Sequence, residues 1–377
     1  MTVFSYAGLV DVHVGPELEN YQSVLRRELL ESPGGAEARM VVRTAGPEED
    51  LHRPLRLIGG LAGISRRGDF LCSDGRGHYC RFDIGHLEVS YSLDLEFTVC
   101  CPRFSVNVLL EWLVVPAALF ATAAHGHAPL HASGVVWNGS TSAAVFGAWA
   151  GVGKTTLVLA ALREQIHGGR HYLGDDIVLV DGDGMALPSS RTVSAYPYNR
   201  RLLSDLKRSE YAKLAVANLV RTAALRYPRP FGRLREPAVY ASNAWGNLRV
   251  EVPRARTVSD TASVPVTAHV RCLSASESNA GGLRRLESWD PKEEAEAHLA
   301  VLDYELARVQ RYAQAWRWST QATSDPWEAI RHRWRGILVG YFSAVPNHYE
   351  LSLPQTRTSP ALLEEVLTEL GRLGRPA

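Results

Sequence analysis

The sequence predicts a mixed α/β fold, an α+β arrangement around a mixed sheet, in two parts: a β-rich region over 1–105 and a larger α/β region over 106–377. Three observations carry this. Residues 1–105 alternate short apolar runs with Gly, Pro and Asp clusters, the texture of short strands broken by turns. Residues 130–162 pass from two apolar runs through a glycine-rich loop into helical periodicity. Residues 291–318 space Leu299, Leu302, Leu306, Val309 and Tyr312 as the stripe of a core-facing helix.

The elements follow in order. Runs at 38–43, 54–64 and 86–99 read as strands, with 73–77 a turn. The most apolar stretch, 108–124, contains Glu111 and Pro116 and falls short of the roughly 20 residues a membrane-spanning helix needs, so a buried helix is expected and no membrane. The runs 130–137 and 142–147 flank Asn138-Gly139, where both residues tolerate positive φ, and so predict a hairpin. A helix from Lys154 follows, then a short strand pair over 171–187 and a helical block over 201–226. Strand-like runs lie at 237–241, 247–252 and 265–274. A last helix has Ser359 as N-cap and Pro360 in its first turn.

Composition excludes several classes. Charged residues make up 21% and hydrophobic ones 46% of the chain, an ordinary globular mixture. A net charge of +1 gives no strong overall field towards nucleic acid or membrane. The N-terminus lacks a basic segment followed by an apolar one, and the five cysteines have no framework spacing, so a cytoplasmic protein with free thiols is expected. Cys72, His78 and Cys80 lie close together without a fourth ligand and read as strand residues; His125 and His127 likewise carry no metal reading. Charge is nonetheless uneven. Between Arg191 and Arg235, eleven Lys/Arg stand against two acids, a local charge of +9. That is either a site for a triphosphate, a carboxylate or an acidic peptide, or a set of solvated helix faces. No aromatic platform is interleaved with it, so nucleic acid is not expected.

The chemical centre is Gly147, Ala148, Trp149, Ala150, Gly151, Val152, Gly153, Lys154, Thr155 and Thr156. Strand, glycine loop and helix in that order form a P-loop: backbone N–H groups curl around phosphate oxygens and the helix dipole points at them. Lys154 supplies a mobile charge for the β- and γ-phosphates and Thr155 a hydroxyl for Mg²⁺, so ATP with Mg²⁺ is the expected ligand. Ala148 stands where the loop pattern has its first glycine. Trp149 covers a ligand or packs half-buried. Asp175-Asp176 ahead of an apolar run, read as a hairpin turn, divides labour between a base and a metal ligand, or is a solvated turn. His131, on the strand pairing with the one that enters the loop, either reaches the phosphate end or is structural. Pro197 biases Tyr196 towards extended backbone, so Arg200 and Arg201 follow a strand-to-helix turn where an anion is favoured. Their planar forks suit a transferring phosphate or an acidic acceptor group.

The order L-H-A-S-x-V, an NG hairpin, A-V-F-G, G-x-G-K-T-T, then D-D and an apolar strand resembles the HPr kinase/phosphatase family, in particular related peptide serine kinases such as the lasso-peptide kinases. More distantly it is similar to phosphoenolpyruvate carboxykinase. The apolar helix before LHAS and the segment 194–202 add to the likeness, which is clear over 106–205, weaker to about 354 and absent before 100. Ala150 stands where this family often has serine. The resemblance implies an HPr-kinase/PEP-carboxykinase-like P-loop kinase core with Lys154 and Thr155 on Mg·ATP. It implies Asp175 as general base, Asp176 beside it supporting metal or nucleotide, and His131 near the transferring phosphate. The expected reaction is phosphoryl transfer to a Ser/Thr hydroxyl of a peptide or small protein. A hydroxyl-bearing metabolite as acceptor, or a regulatory ATPase, are the alternatives, and a homo-oligomer stays open. Residues 1–105 are the candidate acceptor-recognition region.

Overall fold

The computed structural model describes residues 2–31, 34–36, 38–45, 56–57, 62–64, 70–73, 78–82, 94–99, 103, 105–110, 114–137, 142–149, 152–163, 170–190, 192–196, 199, 202, 207–226, 238, 248–252, 258, 263–275, 282–307, 310–311, 314, 325–354 and 360–373. Helices and two large mixed sheets make it α/β.

The first sheet is built from β1 (Thr2–Tyr6), β2 (Val10–Val14), β3 (Leu30–Glu31), β4 (Ala38–Thr44), β5 (Arg56–Leu57), β6 (Ala62–Ile64), β7 (Phe70–Ser73), β8 (Tyr79–Phe82) and β9 (Asp94–Val99), in the order β3-β1-β2-β4-β9-β8-β7-β6-β5. The expected strand texture of 1–105 is therefore present, with the run 54–64 divided into two strands. Residues 74–77 and 86–93 lie outside the described set. In this region α1 (Glu19–Glu28) goes unpredicted; it buries Tyr21 and Leu25 at helical spacing. β2 and β4 are parallel, and a parallel pair needs a crossover, which the segment holding α1 supplies.

The apolar stretch folds as two helical segments, α2 (Val106–Leu109) and α3 (Val115–Ala124). Pro116 sits in the first turn of α3, where its missing N–H breaks no helical bond, and residues 116–123 are all buried. Glu111 is outside the described residues. No described helix is long and apolar enough to cross a membrane.

The second sheet runs β10 (His127–Leu130), β14 (Val178–Asp181), β15 (Met185–Leu187), β18 (Val264–Ala275), β12 (Ala143–Gly147), β11 (Ala132–Trp137), β13 (Arg170–Gly174), with β20 (His348–Pro354) parallel to β18 and β19 (Leu283–Arg285) beside it. β16 (Thr192–Ala195) and β17 (Leu248–Glu251) pair separately. The helices are α4 (Lys154–Arg163), α5 (Arg208–Arg226), α6 (Pro291–Glu305), α7 (Pro326–Ala344) and α8 (Pro360–Leu373). Pro360 opens the last helix as expected; Ser359, Val309, Tyr312 and Asn138-Gly139 lie outside the described residues, as does 237–241 apart from residue 238.

Two expectations are corrected. The run from Leu130 to Trp137 is not one strand: the chain bends at His131, β10 pairs with β14, and β11 alone forms the hairpin with β12. Nor do Asp175 and Asp176 turn a hairpin. β13 pairs with β11 while β14 pairs with β10 and β15, so the two acids carry the chain between distant positions of the sheet. Both errors have one cause: local pattern marks where strands lie, and pairing is set by partners far along the chain.

Alternation along β11 and β12 builds the layers. Val136, Ala143 and Val145 enter a core shared with α3, α6, α7 and the first sheet, whose buried residues run from Phe4 to Val345. Val135, Ala144 and Phe146 face the opposite core, with Leu157 of α4 and Leu367 of α8. The sheet is thus covered on both faces, and the glycine loop leaves from the carboxyl end of β12, beside parallel β18.

Candidate functional site

Lys154 opens α4, and Gly153 before it takes a φ of +116°, backbone that glycine adopts without the penalty a Cβ imposes. Ala148 is buried and its N–H donates to the carbonyl of His131 at 3.5 Å, which fixes the loop's first position without a glycine. Trp149 is 51% exposed and meets Tyr304 edge-on at 6.1 Å between centroids. Val152 is half-buried. Ala150 and Gly151 lie outside the described residues, as do Arg200 and Arg201.

The Lys154 side chain turns inward. Its Nζ donates to the carbonyls of Ala148 at 3.0 Å and Trp149 at 3.4 Å, and lies 2.8 Å from Nε2 of His131. Burial, then the Lys154 charge, lower the pKa of His131 to about 3, so its imidazole is neutral and its Nε2 accepts. Burial lowers the pKa of Lys154 itself, against the opposing pull of Asp176 and Asp175. A buried cation whose hydrogen bonds go to neutral acceptors is poised to take an anion.

Twenty residues after Thr155, Asp175 is enclosed by donors. Ser133 Oγ reaches its Oδ1 at 2.5 Å, Thr155 Oγ1 reaches Oδ1 at 3.0 Å and Oδ2 at 3.2 Å, and the Ser194 N–H reaches Oδ2 at 3.1 Å. Burial, then the neighbouring Asp176 charge, still push its pKa up to about 7, with those hydrogen bonds acting in the opposite sense. Asp176 takes the left-handed region at φ +63°, which Asp tolerates better than most residues, and its Oδ2 accepts from Ser194 Oγ at 3.2 Å. Thr156 Oγ1 accepts from Asn199 Nδ2 at 2.9 Å, and Asn199 in turn holds the Tyr196 N–H at 3.1 Å.

The structure therefore brings His131, Lys154, Thr155, Asp175 and Asp176 together. It adds residues that sequence reasoning missed. Ser133 lay inside the L-H-A-S run, and its role becomes visible once β11 and β13 pair. Ser194 opens the segment 194–202, read only as part of the likeness, and Glu305 carried no local signal. Glu305, at the end of α6, has its pKa raised by burial and then by Asp176, with Lys154 opposing. Asp175, Asp176 and Glu305 line a cleft of about 320 Å³, whose lining also includes Tyr6, Glu28 and Leu29 of the first region. Glu28 is held there by Thr192 Oγ1 at 2.6 Å and by Arg249 at 3.1 Å.

The donor set around Thr155, Asp175 and Asp176 is all oxygen, the hard set that Mg²⁺ takes, and Lys154 with the start of α4 suits a phosphate. His269, Glu294 and His298 form a second buried group, which sequence reasoning also missed. Its one sequence signal was the four-residue spacing of Glu294 and His298 in a stretch read only as a core stripe. Against models of known protein families the chain has no match, and a search of curated proteins finds none either.

Proposed function

We propose that the chain is a Mg·ATP-dependent kinase on an HPr-kinase/PEP-carboxykinase-like P-loop core, passing phosphate to a Ser/Thr hydroxyl of a peptide or small protein. One observation supports this above the others: a carboxyl with its pKa near 7, bonded to the hydroxyl of the loop's Thr155 and opening on a cleft. A base of that pKa is half ionised near neutrality, where proton abstraction from a hydroxyl is most effective.

Lys154 would hold the β- and γ-phosphates, and Thr155 with Asp176 the metal; bound Mg·ATP supplies the phosphoryl group and neutralises its charge. Asp175 takes the acceptor's hydroxyl proton, while Ser133 and Ser194 keep its carboxyl aimed. His131, neutral, steers the Lys154 ammonium. Tyr6, Glu28 and Leu29 line the same cleft as Asp175, which supports a recognition role for the first region. One contact favours a second assignment. The Thr155–Asp175 bond puts Asp175 beside the expected metal ligand, and in that case Asp176 is the base.

The test is transfer of labelled γ-phosphate by the purified chain to a serine- and threonine-containing peptide library and, separately, to free amino acids and sugars. A kinase turns over little ATP without an acceptor and labels one of these sets. Steady ATP hydrolysis with no labelled acceptor in any set supports the regulatory ATPase instead.

A further inference from the structure

The proposed reaction makes no use of the group formed by His269 on β18 and Glu294 and His298 on α6. All three are buried, at 0%, 4% and 5% exposure. Glu294 and His298 are one helical turn apart, so they project from the same face of α6. One ligand atom from each residue lies within 4.8 Å of the others. Nε2 of His298 is 3.5 Å from Oε1 of Glu294, close to the roughly 3.4 Å edge of a tetrahedron with metal–ligand bonds of about 2.1 Å.

Two features separate this group from ordinary core packing. First, Nε2 of His269 is buried without a hydrogen-bond partner, although imidazole nitrogens in a core are normally paired. The other nitrogen of His269 faces the Tyr341 hydroxyl at 3.4 Å, and in the tautomer that donates there Nε2 carries the unused lone pair. Second, the backbone makes room for the rings. A Cβ at Gly147 would lie 2.7 Å from Cε1 of His298 and 3.1 Å from Nε2 of His269, so the strand carries glycine where the two imidazoles converge. The outer contacts are also those of a held ligand set: Arg271 grips Oε2 of Glu294 at 3.1 Å and is itself fixed by Glu350 at 3.1 Å, leaving Oε1 towards His298.

We propose that His269, Glu294 and His298 bind one divalent transition-metal ion of the zinc type. Two imidazoles and one carboxylate suit Zn²⁺ or Co²⁺ over Mg²⁺, which prefers oxygen, so this ion is distinct from the magnesium expected at Thr155. The ion ties α6 to β18 beside Gly147, the last residue of the strand that enters the glycine loop. The proposal stands whether or not the chain is a kinase.

The full-length chain, stripped with a chelator, is titrated with Co²⁺ and with Zn²⁺ alone. One tight equivalent is expected, with a cobalt visible spectrum of low coordination lacking the thiolate charge-transfer band that a cysteine ligand would add. Zn²⁺ should displace the cobalt, and millimolar Mg²⁺ should leave it in place. His298→Gln, His269→Asn and Glu294→Gln, each checked for a native circular dichroism spectrum, should weaken binding at least about a hundredfold, beyond what loss of an outer contact costs. A wild-type chain that retains no Co²⁺ or Zn²⁺ after dialysis overturns the proposal, with no variant needed. So does a tight equivalent that survives in folded variants, shows a thiolate band or yields to Mg²⁺.

Discussion

Two buried polar groups border the end of β12, and they solve burial differently. Around Asp175 every oxygen has a donor, from Ser133, Thr155 or Ser194, so the carboxyl is fixed before any ligand arrives. In the second group Nε2 of His269 is left unpaired beside Glu294 and His298. A satisfied network is a preorganised one, able to act on a ligand without rearranging. An unsatisfied one has its stabilising partner still to come. The contrast suits the proposed chemistry at the first group and the proposed ion at the second, and substitutions can break it.

The largest effect is expected at Lys154. Lys154→Ala removes the loop's buried cation, so phosphoryl transfer should be lost and ATP binding weakened in a nucleotide titration. Near-wild-type transfer would show that the loop does not hold the phosphates. Asp175→Asn keeps the shape and removes the base, so ATP should still bind while kcat falls by roughly 10²–10⁴-fold. A raised KM for ATP with kcat preserved would move Asp175 to the metal side and make Asp176 the base.

A middle-sized effect belongs to Arg200 and Arg201. Asn199, immediately before them, bonds to Thr156 at the start of α4. Arg200→Lys and Arg201→Lys, made singly, keep charge and remove the fork. At least one should lose about ten- to a hundredfold in kcat/KM, equivalent to about 1.5–3 kcal/mol for a hydrogen bond to a charged group. Two lysine variants that match the parent at low and high salt would place the pair on a solvated face.

The smallest effect reads the first group through stability. Asp175 binds its proton more tightly folded than unfolded, since its pKa rises from 3.8 to about 7. Its contribution is present below pH 3.8 and lost as pH rises through 7. His131 is the reverse: lowered from 6.5 to about 3, it contributes above pH 6.5 and loses that as pH falls towards 3. Between about pH 4 and 6.5 the two slopes oppose. The Tm of Asp175→Asn should therefore climb with pH more steeply than that of the parent, and the Tm of His131→Gln less steeply. Curves parallel to the parent for both variants would mean that neither group titrates differently on folding.

Much of the first group was legible in advance, because a glycine loop between strand and helix carries its geometry in local spacing. Gly153, Lys154 and Thr155 needed no distant contact to be read. The Asp175-Asp176 pair was legible as chemistry but misplaced as a hairpin turn. Its donors Ser133 and Ser194 come from β11 and β16, whose neighbours no local pattern names. α7 and β20 escaped notice although they bury Trp334, Tyr341 and Leu351. Aromatic-rich segments between polar residues give a weak period until the core they fill is known.

The sequence by itself determined the strand texture of 1–105, the loop with its lysine and threonine, the helix that follows, and the buried character of the segment ahead of β10. Each depends on residues within a turn or two of one another, where backbone freedom and hydrophobic period act directly. Only the tertiary structure decided that Tyr6 and Leu29 share a cleft with Asp175, and that Glu305 joins the carboxylates there. It alone brought His269 to Glu294 and His298 beneath Gly147. Those arrangements follow from which faces of helix and sheet are buried together, a free energy summed over the whole core and written in no single stretch of chain.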